Sequence, residues 1–204
     1  MSVCWSCEAP LPEEAEYCMR CGHSQRERNT SPIYVVDSTT ELFNGVFVKA
    51  ILGQEVNRAV RYKRPLSALM VEVDHAEHIH RDLGVSQLNG LLKELGQVLV
   101  SAVRDTDTVA FLDAEGPPHF AIVLPETDSN GALLAADKIR RSVASHDFQA
   151  GGGWQRLTVS VGVTSVAHER MNQPDLLTEA NQVLQTGRSA GQGPNRTYTQ
   201  AVHV

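Results

Sequence analysis

"TVAFLDAEGPPHFAIVLP", residues 108–125, is the stretch on which the fold turns. Two apolar runs, 108–112 and 120–125, flank a polar tip holding a glycine and two adjacent prolines, the pattern of a β-hairpin. Outward from it, helix and strand periods alternate. Upstream, "PLSALMVEVD" (65–74) reads as a strand that opens on Pro65 and ends on two carboxylates, Glu72 and Asp74. Before it, "ELFNGVFVKAILGQEVNRAVRYKR" (41–64) places Leu42, Val46, Ala50, Val56 and Val60 at helical spacing, with Asp37 or Ser38 as the expected cap. A second helix is expected over 86–103, a third over 129–146 and a last over 174–190, with Pro174 in its first turn. "LTVSVGVTSV" (157–166) alternates as a strand. A hairpin set among strands otherwise separated by helices implies an α/β fold, with a mixed sheet flanked by helices.

The chain has 204 residues, 42% hydrophobic and 21% charged, enough for one ordinary domain with a small appendage. No apolar run approaches the roughly 18 residues of a membrane span, and no basic patch leads into an apolar stretch at the N-terminus, so the expected location is the cytoplasm. A formal net charge of −6 argues against nucleic-acid binding by phosphate neutralisation. Neither a Walker A loop nor a G-x-G-x-x-G fingerprint is present.

All four cysteines fall within the first 21 residues, as Cys4-x-x-Cys7 and Cys18-x-x-Cys21 with ten residues between the pairs. That spacing suits a tetrahedral Cys4 zinc site closed by two turns, and Gly22 suits the tight turn after the second pair. Two disulfides are the alternative; two Cys-x-x-Cys pairs in a cytosolic chain favour zinc. So short a unit cannot bury a sufficient core, and the metal would supply its folding free energy. Glu8, Glu13, Glu14 and Glu16 against Arg20 make a poor surface for phosphate, so a protein partner is the expected contact. Trp5 and Tyr17 either form its apolar patch or cover the metal site. The organisation expected is a zinc ribbon over 1–25, a polar linker over 26–36 and the main domain over 37–204.

The main domain resembles the GGDEF domain of bacterial diguanylate cyclases. "DSTTELFNGVF" echoes that family's opening signature through Asp37, Thr40, Leu42, Asn44 and Phe47. "RAVRYKRPLSALMVEVDH" is similar to its arginine-rich helix end, Pro-Leu-Ser strand and Asp-Ile-Asp turn. "RDTDTVA" followed by "FAIVLPET" matches its two hairpin strands, and "LTVSVGVTSV" its Thr-x-Ser-x-Gly-Val strand. The resemblance implies a fold like that of the class III nucleotide cyclases. It also implies a reaction joining two GTP molecules into cyclic di-GMP, assisted by metal ions held on carboxylates. Fold alone does not license the chemistry.

At the reacting centre the resemblance breaks down residue by residue. The family's Gly-Gly-Asp/Glu-Glu-Phe hairpin falls on Gly116, Pro117, Pro118, His119 and Phe120, behind about three extra residues, Asp113 to Glu115. The metal-holding acid becomes Pro118, which has no ligand atom in its side chain. The second glycine becomes Pro117, which has no N–H to face a phosphate. The metal-binding Asp of the preceding strand becomes Glu72, and the residues after the Asp-Ile-Asp turn become Ala76 and Glu77. The guanine-reading Asn and Asp correspond to His80 and Asn89, and the late phosphate-contacting Lys and Arg to Arg188 and Gln192. The expectation is a domain without cyclase activity. A substitute metal site from Glu72, His75, His78 and His80 is the lesser alternative to a solvated run of histidines.

What the resemblance leaves in place is Arg104-Asp105-Thr106-Asp107, the family's inhibitory Arg-x-x-Asp site for cyclic di-GMP, with Lys138 where a second cation is often supplied. A guanidinium can bond guanine O6 and N7 or a phosphate, and an aspartate can accept from the guanine N1–H and N2–H edge. The bland alternative is an arginine at a helix end and a turn-forming aspartate. The expected function is a cyclic di-GMP receptor that holds ligand through Arg104, Asp107 and Lys138, dimerises around stacked ligand, and relays to a partner through the ribbon. Its rival is a ligand-independent interaction scaffold.

Overall fold

The computed structural model describes residues 2–4, 9–12, 15, 17–20, 35–112, 117–166, 176–191 and 193–199. The chain divides into two units, Met1–Ile33 and Tyr34–Val204. In the first, β1 (Ser2–Val3) and β2 (Pro10–Leu11) form an antiparallel hairpin, extended by a bond from the Cys4 N–H to the Ala9 carbonyl at 2.8 Å. Cys4, Ala9, Leu11 and Cys18 make a small buried cluster.

The second unit opens with β3 (Phe43–Asn44), which pairs parallel to a later strand, followed by α1 (Gly45–Tyr62). The helix starts four residues later than its periodicity suggests, and its cap is Asn44 rather than Asp37 or Ser38. Glu41 sits in the left-handed region at φ 62° and Phe43–Asn44 is extended, so the backbone cannot turn helical before Asn44. Asn44 Oδ1 then accepts from the Phe47 N–H at 3.0 Å. Asp37 instead closes the preceding turn, accepting from the N–H groups of Thr39 and Thr40 and from the Thr40 hydroxyl.

Next come β4 (Leu66–Val73), α2 (Ala76–Leu83), α3 (Val85–Ala102), β5 (Thr108–Leu112) and β6 (His119–Pro125). They are followed by α4 (Ser129–Ser145), a short hairpin of β7 (Phe148–Ala150) and β8 (Gly153–Gln155), β9 (Val159–Val166), α5 (Leu176–Ser189) and β10 (Thr197–Thr199). Six strands form one mixed sheet in the order β10-β9-β4-β6-β5-β3, parallel at its two outer pairs and antiparallel within. The expected β5–β6 hairpin is present, with Leu112 opposite His119 and Phe111 opposite Phe120.

Every residue of β4 is buried, because helices cover both faces of the sheet. Side chains alternate across it. Leu69, Val71 and Val73 point into a core built with α3 and α4, whereas Ala68 and Met70 point into the other, built with α1 and α5. That second face is the one on which the site forms.

Candidate functional site

Glu72 is next in the register of Ala68 and Met70, so the strand's period of two carries a carboxylate onto the α5 face. It lies opposite His119 of β6 on one side and Ser160 of β9 on the other, and is only 4% exposed. His119 Nε2 stands 3.0 Å from Glu72 Oε2, and Gln185 Nε2 donates to the same oxygen at 2.9 Å. Arg188, one helical turn beyond Gln185, makes a direct ion pair with Glu72 Oε1. Because an ionised carboxylate only accepts, the His119 Nε2 carries the hydrogen in this pair.

Burial pushes the Glu72 carboxyl upward. The hydrogen bonds from His119 and Gln185 and the nearby Arg188 charge more than offset it and hold the group below the ordinary glutamate range. Asp74, also buried, accepts from Thr158 Oγ1, Ser160 Oγ and the Asn195 N–H, each at 2.8 Å, with Arg188 3.8 Å away. The two carboxylates are thus saturated by protein donors, and the positive charge between them is an arginine.

This donor set does not fit the divalent cation that the family reaction uses. The Pro118 side chain offers no ligand atom, and Glu72's oxygens are engaged by three side chains. Among the described residues no group of three metal-ligating side chains converges. His75, His78 and His80 are exposed, and the rings of the first two stack with centroids 5.7 Å apart. Gln185 escaped the sequence reading, and Thr158 and Ser160 entered it as strand positions with no role at the carboxylates. The Gln185-x-x-Arg188 spacing on one helix face and the polar alternation of Thr158 and Ser160 were the available signals.

Arg104 and Asp107 meet in a tight turn after α3. Asp107 Oδ2 accepts from the Arg104 N–H at 2.9 Å, and the Asp107 N–H donates to the Arg104 carbonyl at 2.9 Å. Asp107 Oδ1 is buried and has no hydrogen-bond partner among the described residues. Arg104 lines a groove of about 410 Å³ between the end of α1, the start of β4 and the end of β6, where Arg58, Arg64, Glu55 and Glu126 also stand. Arg58 pairs with Glu55 at 3.4 Å and Arg64 pairs directly with Glu126, whereas the Arg104 guanidinium has no such partner among the described residues. Lys138 lines a separate groove with Arg141 and Arg156. The arginines at the end of α1 were legible as a charge cluster, but their place beside Arg104 was not.

In the first unit Cys4 and Cys18 are buried in one cluster, and the Arg20 N–H donates to Cys18 Sγ at 3.4 Å. Burial and an N–H bond to sulfur suit a thiolate ligand, so these residues fit a zinc site. Cys7 and Cys21, and Trp5, lie outside the described residues. Tyr17 and Met19 are exposed.

Comparison with known proteins agrees with this architecture. A family model described as "Diguanylate cyclase, GGDEF domain" matches residues 34–194, and one described as a zinc-ribbon domain matches residues 3–25. The response regulator PleD of Caulobacter vibrioides is 29% identical over 159 residues, 77% of this chain and 34% of that protein. The diguanylate cyclase DosC of Escherichia coli is 30% identical over 128 residues, 62% of this chain and 27% of that protein. The chain spans about a third of the length of these relatives. Among solved structures, the FimX GGDEF domain from Pseudomonas aeruginosa superposes with a TM-score of 0.74 at 20% identity, covering 82% of this chain and all of that one. The DgcB GGDEF domain from Caulobacter crescentus, solved in complex with c-di-GMP, gives 0.71 at 17% identity, covering 81% of this chain and 92% of that one. Sheet order, helix placement and a family match over most of the chain lead to one conclusion: the protein belongs to the GGDEF family and carries a zinc-ribbon segment ahead of that domain.

Proposed function

We propose that this GGDEF-domain signalling protein does not cyclise GTP and acts instead as a receptor for cyclic di-GMP, relaying ligand binding to a protein partner through its ribbon. The observation that carries the receptor reading is the Arg104 guanidinium. It is uncompensated among the described residues and lies in a groove with two further arginines. A dianionic ligand with guanine edges offers it both phosphate oxygens and O6/N7 acceptors. Asp107, whose Oδ2 is committed to the turn, shapes the site, and its buried Oδ1 meets a ligand donor only when that turn opens. Lys138 enters only if a second domain or a stacked second ligand bridges the two grooves, which makes ligand-driven dimerisation part of the proposal.

Loss of cyclase chemistry is supported by Pro117 and Pro118 in the hairpin and by Glu72, whose oxygens are taken by His119, Gln185 and Arg188. The relay is supported by analogy with SiaD from Pseudomonas aeruginosa, a diguanylate cyclase solved with its activator SiaC. The Cys4 site would be held by Cys4, Cys7, Cys18 and Cys21. No helix of the described residues is long and apolar enough to cross a membrane; we place the protein in the cytoplasm.

Titration calorimetry with cyclic di-GMP tests the receptor reading. Wild type is expected to bind at micromolar ligand, and Arg104→Ala to lose most of the heat. Absence of heat from wild type would overturn it in favour of a ligand-independent scaffold, the reading favoured by the closed Arg104–Asp107 turn. Cyclic di-GMP formed from GTP and magnesium by the pure protein would overturn the loss of catalysis.

A further inference from the structure

The groove beside Arg104 contains its own competitor for an anion. Arg64 follows α1 through Lys63, which is left-handed at φ 52°, and stands just ahead of β4. Glu126 follows β6, is also left-handed at φ 52°, and reaches back to Arg64 across the paired Leu66 and Pro125. The turn that presents Glu126 is held on both sides. Thr127 Oγ1 donates to the Pro125 carbonyl at 3.0 Å, and the buried Ser67 hydroxyl donates to the Thr127 carbonyl at 2.7 Å. Asp128 then caps α4 through the Gly131 N–H at 2.8 Å. A glutamate keeping a left-handed backbone on so fixed a turn is placed by the fold, not by its own preference.

Both partners are more than half exposed, at 56% and 60%. An ion pair of that kind is weak and easily exchanged. A phosphodiester can displace the carboxylate, because its two non-bridging oxygens accept the same forked N–H donors. Of the three guanidiniums in the groove, Arg58 and Arg64 have internal counter-ions and Arg104 has none among the described residues.

We propose that Glu126 is an internal counter-ion that competes with a phosphodiester ligand for Arg64 and thereby sets the affinity of the groove. The inference rests on the reading of this groove as the ligand site and adds its regulation. The test is calorimetry of cyclic di-GMP, and separately of inorganic pyrophosphate, with wild type, Glu126→Gln, Arg64→Met and the double variant. Glu126→Gln keeps shape and backbone preference and removes the charge; equal melting temperatures check that it folds. It is expected to bind about 3- to 10-fold more tightly than wild type, and the gain is expected to vanish in the Arg64→Met background.

Affinity unchanged or weakened in Glu126→Gln, or a gain that survives without Arg64, would overturn the inference. Binding of cyclic di-GMP that needs Arg104 but ignores Glu126 overturns the counter-ion and leaves the receptor. An Arg64-dependent gain with pyrophosphate, alongside no binding of cyclic di-GMP, overturns the receptor and leaves the counter-ion. No binding of either ligand by Glu126→Gln overturns both.

Discussion

At the scale of single residues, Arg188 is the fixed positive charge against which Glu72 is folded. A metal ion leaves when its site is vacated; a guanidinium attached to α5 does not, and Glu72 has been folded around it. Replacing Arg188 with Met leaves a buried carboxylate supported only by His119 and Gln185. We expect a loss of about 2–3 kcal/mol near neutral pH, below the roughly 3–5 kcal/mol of breaking a fully buried pair because Arg188 is partly exposed. In wild type the folded-state pKa of Glu72 is depressed. Its contribution is therefore complete above the ordinary glutamate range, roughly pH 4–4.5, and is lost as pH falls through the depressed value. Without Arg188 the burial penalty is less opposed and the folded pKa rises, so protonation relieves the variant before it hurts the wild type. The stability gap is expected to be widest at neutral pH and to narrow toward pH 4 in urea titrations. An equal gap at both ends would show that Arg188 contributes packing rather than charge.

At the scale of elements, the site exists because α5 lies unusually close to β9. A Cβ added at Gly162 would fall 2.1 Å from the Ala180 carbonyl oxygen and 2.9 Å from Leu184 Cβ, and one added at Gly187 would fall 2.1 Å from the Tyr198 ring. These two glycines let the helix settle until Gln185 and Arg188 reach Glu72. Gly162→Ala is expected to lift α5, cost at least about 3 kcal/mol by overpacking, and separate Arg188 from Glu72. A melting temperature within experimental error of wild type would sink that account. The same seam marks how far the sequence could be read. The long elements announced themselves by period, and β4, β5, β6 and β9 lie within two residues of where alternation places them. The two- and three-residue strands β3, β7, β8 and β10 are too short to carry a period, and Asn44 became a cap only because β3 delays α1. Glu72 was recognisable as a site position from its motif. Gln185, 113 residues away, was not, because what joins them is the depth of a helix on a sheet.

At the scale of the whole molecule, the two units are stabilised by different means. The second has two apolar cores, one on each face of a six-stranded sheet. The described core of the first is four side chains, Cys4, Ala9, Leu11 and Cys18, a small apolar surface to set against the entropy of ordering a chain segment. A bound metal would supply what is missing, since structural zinc contributes roughly 10–16 kcal/mol in comparable peptides at neutral pH. Metal analysis of gently purified protein is therefore expected to give one zinc per chain. Chelation is expected to open residues 1–25 to protease while the main melting transition stays in place. Zinc near zero in the native protein would refute the site. A main transition that collapsed with chelation would instead show that the second unit leans on the metal, which its two complete cores give no reason to expect. Calorimetry of cyclic di-GMP before and after chelation extends the same logic. If the ribbon is the output and the groove the input, removing zinc leaves ligand affinity unchanged while abolishing whatever partner binding the ligand controls.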